Sequence, residues 1–313
     1  MREPTQAPIL TIGLPVYNGA PFLLNCLRSV FAQTFHNWEL VVVDDGSKDA
    51  SLEILRGVDD RRVHVLSTEN RGLAACLNEI TRKARGKFIA RMDADDLMHP
   101  DRLDKQLKKL DKQTELDGVG CGLVVVDRQL DPIGVRLLPA DHAQICANPA
   151  KGFALAHATF VGRTEWFRAH PYNESNRGCE DWELWASSFR TSRWGNLSEG
   201  LYFYREMDSY SLSKYLRRKA AFSKRLWGNK ASEVGPVSAL LECGLQASHM
   251  LLYTGAGLTG MTDYLLRRRN SPIESAEQDR LRMMLQQILE TKIPGRGEQG
   301  NAGAVQVPDA AAR

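Results

Sequence analysis

Three apolar runs in the first hundred residues each end abruptly in a polar cluster, and this repetition limits what the chain can fold into more than any other feature. Ile9 to Val16 closes on Tyr17-Asn18-Gly19, Trp38 to Val43 on Asp44-Asp45-Gly46-Ser47, and Phe88 to Met92 on Asp93-Ala94-Asp95-Asp96. The second run is apolar without interruption from Leu40 to Val43, as in a parallel strand buried on both faces. Between the runs the periodicity changes. Residues 21–33 carry Phe22, Leu23, Leu27, Val30 and Phe31 at helical spacing, a Ser/Asp cluster can cap a helix over 50–57, and 73–84 read as an amphipathic helix after the short strand Val63-His64-Val65-Leu66. Strands alternating with helices predict an α/β fold with a mostly parallel central sheet flanked by helices, and ligands of such sheets gather at the carboxyl ends of the strands.

Of the three polar ends, the last is the most specific. Residues two apart on an extended chain point to the same side, so Asp93 and Asp95 can present their oxygens together. Hard divalent cations prefer oxygen ligands, and Mg²⁺ is commonly held by one or two carboxylates plus substrate phosphates. An isolated Asp-x-Asp is equally a polar loop that merely ends a strand. Its coincidence with Asp44-Asp45 and the Tyr17 turn favours a seat for a metal–diphosphate.

Further along, a helix is expected from Asp101 to Lys112, opening at Pro100, then strands over Val119 to Val126 and Ile133 to Leu138. Residues 139–152 are irregular. Phe153 to Val161 is strand-like and places His157 in an apolar run, as either a structural or a functional imidazole. Glu180-Asp181-Trp182-Glu183 reads as a helix start whose acids either satisfy the helix N-terminus or supply a general base. Leu201 to Arg205 is the expected last strand. From about residue 212 the pattern is helical and basic: residues 201–294 carry 14 Lys and Arg against 9 Asp and Glu, whereas residues 1–200 carry 25 against 27. That asymmetry points to an anionic surface near the C-terminal part. Pro236 to Met261 is apolar but too polar to span a bilayer, which leaves packing on the domain and contact with a membrane surface both open. The expected organisation is a catalytic domain over 1–210, a basic helical extension over 211–294 and a disordered tail over 295–313 rich in Gly, Ala and Gln.

Six dispersed cysteines without zinc spacing suit a reducing compartment, and the first residues lack the apolar core of a signal peptide, so a cytoplasmic protein is expected. Gly118-Val119-Gly120-Cys121-Gly122 does not open a helix after a strand and fails the dinucleotide fingerprint. The basic residues show no aromatic interleaving or helix-turn-helix pattern, which argues against nucleic-acid binding.

Taken in order, Leu14-Pro15-Val16-Tyr17-Asn18-Gly19, Ser29 to Thr34, Val43 to Asp49, Asn70-Arg71-Gly72, Asp93 to Asp96, Pro100 to Leu103 and Glu180 to Trp185 resemble a family 2 glycosyltransferase with the GT-A fold, over about residues 9–205. The resemblance implies an inverting, metal-dependent enzyme that moves a sugar from a nucleoside-diphosphate sugar, a UDP-sugar by expectation, to an acceptor hydroxyl of a lipid-linked or growing surface polysaccharide. It implies that Pro15 and Tyr17 line the nucleotide pocket and that Asp45, with Asp44 beside it, hydrogen-bonds the base. Asp95 would hold Mg²⁺ or Mn²⁺, with Asp93 contacting the ribose or the metal's water shell, and Asp181 would be the base. Arg71, His157 and Arg205 would touch the donor or the acceptor. Ala186-Ser187-Ser188 replace the charged residue the family usually carries after its Leu-Trp, so the acceptor side departs from the pattern. Contact with the inner membrane surface fits the basic extension. The competing readings are a sugar nucleotidyltransferase, against which the first strand lacks a Gly-rich basic loop for a triphosphate, and a non-catalytic nucleotide-sugar-binding protein.

Overall fold

The computed structural model describes residues 7–175, 178–206, 211–228 and 235–296. The expected α/β alternation is present. Strand β1 (Leu10–Val16) is followed by helix α1 (Ala20–Phe31), β2 (Trp38–Asp44), α2 (Ser51–Arg56), β3 (Val63–Ser67), α3 (Leu73–Lys83) and β4 (Phe88–Arg91). These four strands form a parallel sheet in the order β3-β2-β1-β4. Strand alternation sends Leu40 and Val42 to one face, against Leu23, Leu27 and Val30 of α1, and Val41 and Val43 to the other, against Leu77 and Ile80 of α3. Gly13 lets α3 pack this closely, because a Cβ there would stand 2.6 Å from Ile80 Cγ2.

Beyond β4 the sheet turns mixed. Strands β5 (Leu97–Met98), β6 (Gly118–Val126), β7 (Pro132–Arg136), β8 (Val161–Arg163) and β9 (Trp194–Arg205) continue it as β4-β8-β6-β9-β5, with β7 on β6. Strand β8 runs antiparallel to both β4 and β6, and β9 runs parallel to β6 with register shifts at Cys121 to Leu123. The mostly parallel sheet expected from the first hundred residues is therefore its first half. Phe153 to Val161 is also different from the expected strand: His157–Thr159 is a turn of 3₁₀ helix, and only Val161 belongs to β8. That turn is bracketed from α4 (Arg102–Lys112). Arg102 donates to the carbonyls of Arg91 and Ala158, and Gln106 to those of Val119 and Thr159. Four buried carbonyls, two of them in the 3₁₀ turn, thus accept from side chains, which stabilises an irregular segment inside the domain.

Two short helices, α5 (His142–Ile145) and α6 (Thr164–Ala169), precede α7 (Glu180–Ser188). After β9, the helix Leu212–Gly228 and the helix Pro236–Thr259 lie together on the outer side of α7, where Phe222 meets Trp182 at 5.1 Å between ring centroids. A shorter helix, Thr262–Arg267, leads to Ser271, which bridges Val135 of β7. The last helix, Ser275–Glu290, returns to the sheet and buries Leu281, Leu285 and Ile288 against Val124, Val126 and Phe203. Among the described residues no helix is long and apolar enough to cross a membrane. The expected tail from 297 onward lies outside the described residues.

Candidate active site

Because β1, β2 and β4 are parallel and paired Val16 with Asp44 and Gly13 with Arg91, their carboxyl ends share one edge of the sheet. Tyr17, Asp45 and Asp93 all follow at that edge. The loop after β1 and the loop after β2 are tied directly: Asn18 N donates to Ser47 Oγ, Lys48 N to Asn18 Oδ1, Gly19 N to Ser51 Oγ and Ala20 N to Asp49 Oδ2. The predicted Ser/Asp cluster thus serves the N-termini of both α1 and α2. Tyr17 is half exposed beside this junction and Pro15 is half-buried beneath it.

The two acids after β2 are buried and committed. Asp44 accepts from Ser47 N and Ser67 Oγ. Asp45 accepts from Arg71 N at 2.7 Å and Gly72 N at 2.9 Å, one on each oxygen. Gly72 takes φ +93° to present its amide, in the left-handed region that glycine adopts at no steric cost. Each carboxylate oxygen has a second lone pair, so a further donor can still be accepted there. The Arg71 side chain turns to Glu79, 3.9 Å away, rather than to the acidic cluster.

Asp93, Asp95 and Asp96 do come together, each offering a carboxylate oxygen within 4.8 Å of the others. Their surroundings separate them. Arg91, buried at the end of β4, grips Asp93 with both terminal nitrogens, at 2.8 and 2.9 Å, and Asp93 N donates to the buried Tyr202 hydroxyl. Asp96 is 1% exposed and accepts from Arg205 N at 2.9 Å; burial, then Asp95 and Asp93, push its carboxyl well above the ordinary range. Asp95 is pushed up to about 6 by burial and by Asp93. Three converging carboxylates, with Arg91 paired to Asp93 and Arg205 acting on Asp95 electrostatically, suit a hard divalent ion. Pairing of β5 with β9 pins the chain after this cluster and brings Tyr202 and Arg205 beneath it. The Arg205 guanidinium stands 5.1 Å from the Phe22 ring and lowers the Asp95 carboxyl electrostatically.

Across the site, His157 Nε2 meets the Tyr172 hydroxyl at 2.8 Å and its ring packs edge-on against Trp185. Burial, then Arg91 and Arg218, hold the imidazole well below its ordinary pKa, so it is neutral. Asp181 opens α7 and accepts its neighbour Trp182's amide. Burial raises the Tyr172 phenol, and the fields of Asp181 and Asp93 both add to that rise. One phenol therefore feels the charge both of the sheet edge and of the first turn of α7.

Sequence reasoning missed four residues here. Arg91 had a signal, since it ends β4 two residues before Asp93. Tyr172, Tyr202 and Arg218 had none: they stand 79, 109 and 125 positions after Asp93, on a loop, on β9 and on the Leu212–Gly228 helix.

The family model for Glycosyl transferase family 2 matches residues 11–169, half of the chain. The chain belongs to this family. The Bacillus subtilis protein EpsE, which carries a glycosyltransferase name, is 34% identical over 212 residues, 64% of this chain and 74% of that protein. Among solved structures, the 1–349 fragment of S. aureus TarS in complex with UDP-GlcNAc aligns with a TM-score of 0.57 at 18% identity, covering 91% of this chain and 81% of that one. A mannosyltransferase from Pyrobaculum calidifontis, in complex with GDP-Man and Mn²⁺, aligns with a TM-score of 0.55 at 20% identity, covering 92% and 89%. At those identities the structural likeness establishes the GT-A fold. Several motif residues of this transferase are structural: Gln33 holds the His99 carbonyl and the Leu103 amide, and Arg102 braces the 3₁₀ turn.

Proposed function

We propose that this glycosyltransferase inverts the anomeric centre of a nucleoside-diphosphate sugar, with UDP as the nucleotide, in transferring the sugar to a hydroxyl of a lipid-linked or growing surface glycan at the cytoplasmic side of the membrane. The observation that carries the reading is the convergence of Asp93, Asp95 and Asp96 at the sheet edge, with Asp181 near enough for its charge, like that of Asp93, to act on Tyr172. The UDP-GlcNAc complex of the TarS fragment supports the choice of nucleotide, and the Mn²⁺ complex of the mannosyltransferase supports a divalent cation.

Asp95 would hold Mg²⁺ or Mn²⁺, with Asp93 at its water shell or the donor ribose. When bound, the cation neutralises charge developing on the departing nucleoside diphosphate. Arg91 keeps Asp93 in one rotamer by a two-point grip, which preorganises the acidic edge before donor arrives. Pro15, Tyr17, Asp44 and Asp45 form the nucleotide side, and Arg71 reaches it through its backbone amide on Asp45. Asp181 takes the proton of the acceptor hydroxyl as that oxygen attacks the anomeric carbon opposite the leaving group, a single displacement without a covalent enzyme intermediate. Neutral His157, paired with Tyr172, and Arg205 contact the reacting groups as hydrogen-bonding partners. Residues 1–210 would carry this chemistry, with the basic helices after 211 serving the acceptor.

Thermal stabilisation by a panel of UDP-, GDP- and dTDP-sugars, with and without Mn²⁺ or Mg²⁺, tests the reading. A UDP-sugar should stabilise the protein only when the cation is present. If no nucleotide sugar does so with either cation, the proposal fails; product formation that depends on added sugar-1-phosphate would mark a nucleotidyltransferase instead.

A further inference from the structure

The helix Pro236–Thr259 is built inside out. Its inner face carries the polar side chains: Glu242 and Gln246 are buried, Gln246 Nε2 donates to Glu242 Oε1, and the Glu242 charge acts on Lys219 of the neighbouring helix Leu212–Gly228. Tyr253 on the same face stacks on Tyr215 at 4.5 Å. The outer face is apolar. Val237, Leu241, Leu245, Leu252 and, at the far end, Leu258 are all more than half exposed, up to 85% at Leu258. Their spacing of four, four, seven and six residues keeps them on one side of a helix of 24 residues, roughly 36 Å long. A soluble helix buries such a stripe against the domain, yet here the domain takes the polar side.

The charges around the stripe say what covers it. Between Pro236 and Met261 the sequence has no Lys or Arg, and its one acid, Glu242, faces inward. The next helix, which begins Thr262-Asp263, ends at Arg267, and Arg268 and Arg269 follow; all three are exposed, with Arg269 paired to Glu206 at 3.1 Å, and the adjoining helix adds exposed Arg217 and Lys224. Exposed Trp227 and Tyr264 stand on the two neighbouring helices, where amphipathic rings suit a membrane–water interface. A second copy docked through the same face would bring two positively charged surfaces together, whereas an anionic bilayer complements both the apolar stripe and the basic rim. The helix cannot span a membrane, so it lies on one.

We infer that the outward face of the Pro236–Thr259 helix, with Arg267 and Arg268 at its end, docks the enzyme on an anionic lipid surface. This names the surface that a membrane-held acceptor would require, but it stands on exposure and charge alone and does not rest on the proposed transfer reaction.

The test is co-sedimentation of the full chain, without nucleotide sugar, with vesicles of pure phosphatidylcholine and of phosphatidylcholine with about a third phosphatidylglycerol. Binding should appear with the anionic vesicles and weaken as salt rises. The exposed triple variant L241S/L252S/L258S should lower the partition coefficient roughly tenfold at every salt concentration, and R267Q/R268Q should lower it by a similar factor at low salt only. Circular dichroism, and transfer to a water-soluble acceptor where that activity is detected, should remain those of the parent. Equal partition of parent and triple variant, or no preference for the anionic vesicles, overturns the inference. So does a dimer in sedimentation velocity that the same triple variant dissociates, since the stripe would then belong to a second copy. Because binding is read without donor, a failed docking surface and a failed donor assignment are separable.

Discussion

The two halves of the site are assembled by different physics. On the proposed donor side, Tyr17, Asp45 and Asp93 reach one edge because three parallel strands are hydrogen-bonded in register, and the loops that follow are tied to each other by side-chain hydrogen bonds to backbone amides. On the proposed acceptor side, no paired strand carries Asp181 among the described residues; it opens α7. The first turn of α7 is held by an aromatic cluster in which Trp185 meets Phe160 at 4.8 Å and Trp194 at 5.1 Å, and by Arg225 on the Leu212–Gly228 helix, 3.3 Å from Glu183. The proposed donor side is thus set by backbone geometry, and the proposed acceptor side by the packing of side chains from three distant segments on α7.

If that division is real, the two sides should fail separately. Asp181→Asn should lower kcat by about 10²–10⁴ while leaving metal-dependent donor binding near the parent value, because only proton acceptance is lost. Asp95→Asn should instead abolish metal-dependent stabilisation by the donor, with transfer falling at least about 100-fold. Isothermal calorimetry beside initial rates separates them. Loss of donor binding in the Asp181 variant, or parent-like transfer, would remove Asp181 as base.

A structural probe comes next. Trp185 is 2% exposed, and its truncation to Ala should cost about 3–5 kcal/mol of stability in urea melts. Of the protein that remains folded, donor binding should survive better than transfer. Equal loss of the two would show that the halves are one mechanical unit.

The smallest effect is a pH dependence. Enclosure by Tyr172 and Trp185, then Arg91 and Arg218, hold the folded pKa of His157 below the unfolded value of about 6.5. Its contribution to stability is therefore complete above about pH 6.5 and is lost as pH falls towards the folded pKa, by up to about 1.4 kcal/mol per pH unit. His157→Asn should flatten the fall in stability between pH 6.5 and 5, and His99 and His142, also held low by burial, keep the remainder. An unchanged slope would mean that His157 is not buried in its neutral form in solution.

Much of this was legible before any coordinates. Period-two and period-3.6 patterns act over a few residues, so β1 to β4 and their helices could be read one after another, and with them the edge that gathers Asp44, Asp45, Asp93 and Asp95. The Phe153 to Val161 run shows where such reading stops. Its composition suits a strand, but Arg102 and Gln106 offer its carbonyls and those of its neighbours side-chain donors, and a 3₁₀ turn results. A propensity of a few tenths of a kcal/mol per residue yields to four buried hydrogen bonds.

The sequence by itself determined the parallel half of the sheet, the acidic cluster at its edge and the basic, helical character of the C-terminal part, because each is written in neighbouring residues. Tertiary structure alone decided that Arg91 and Tyr202 hold Asp93, that Tyr172 meets His157, and that the Pro236–Thr259 helix turns its leucines outward. Those outcomes depend on which distant side chains share a buried volume. Close packing and the need to pair every buried charge select one arrangement from many that local pattern leaves equal.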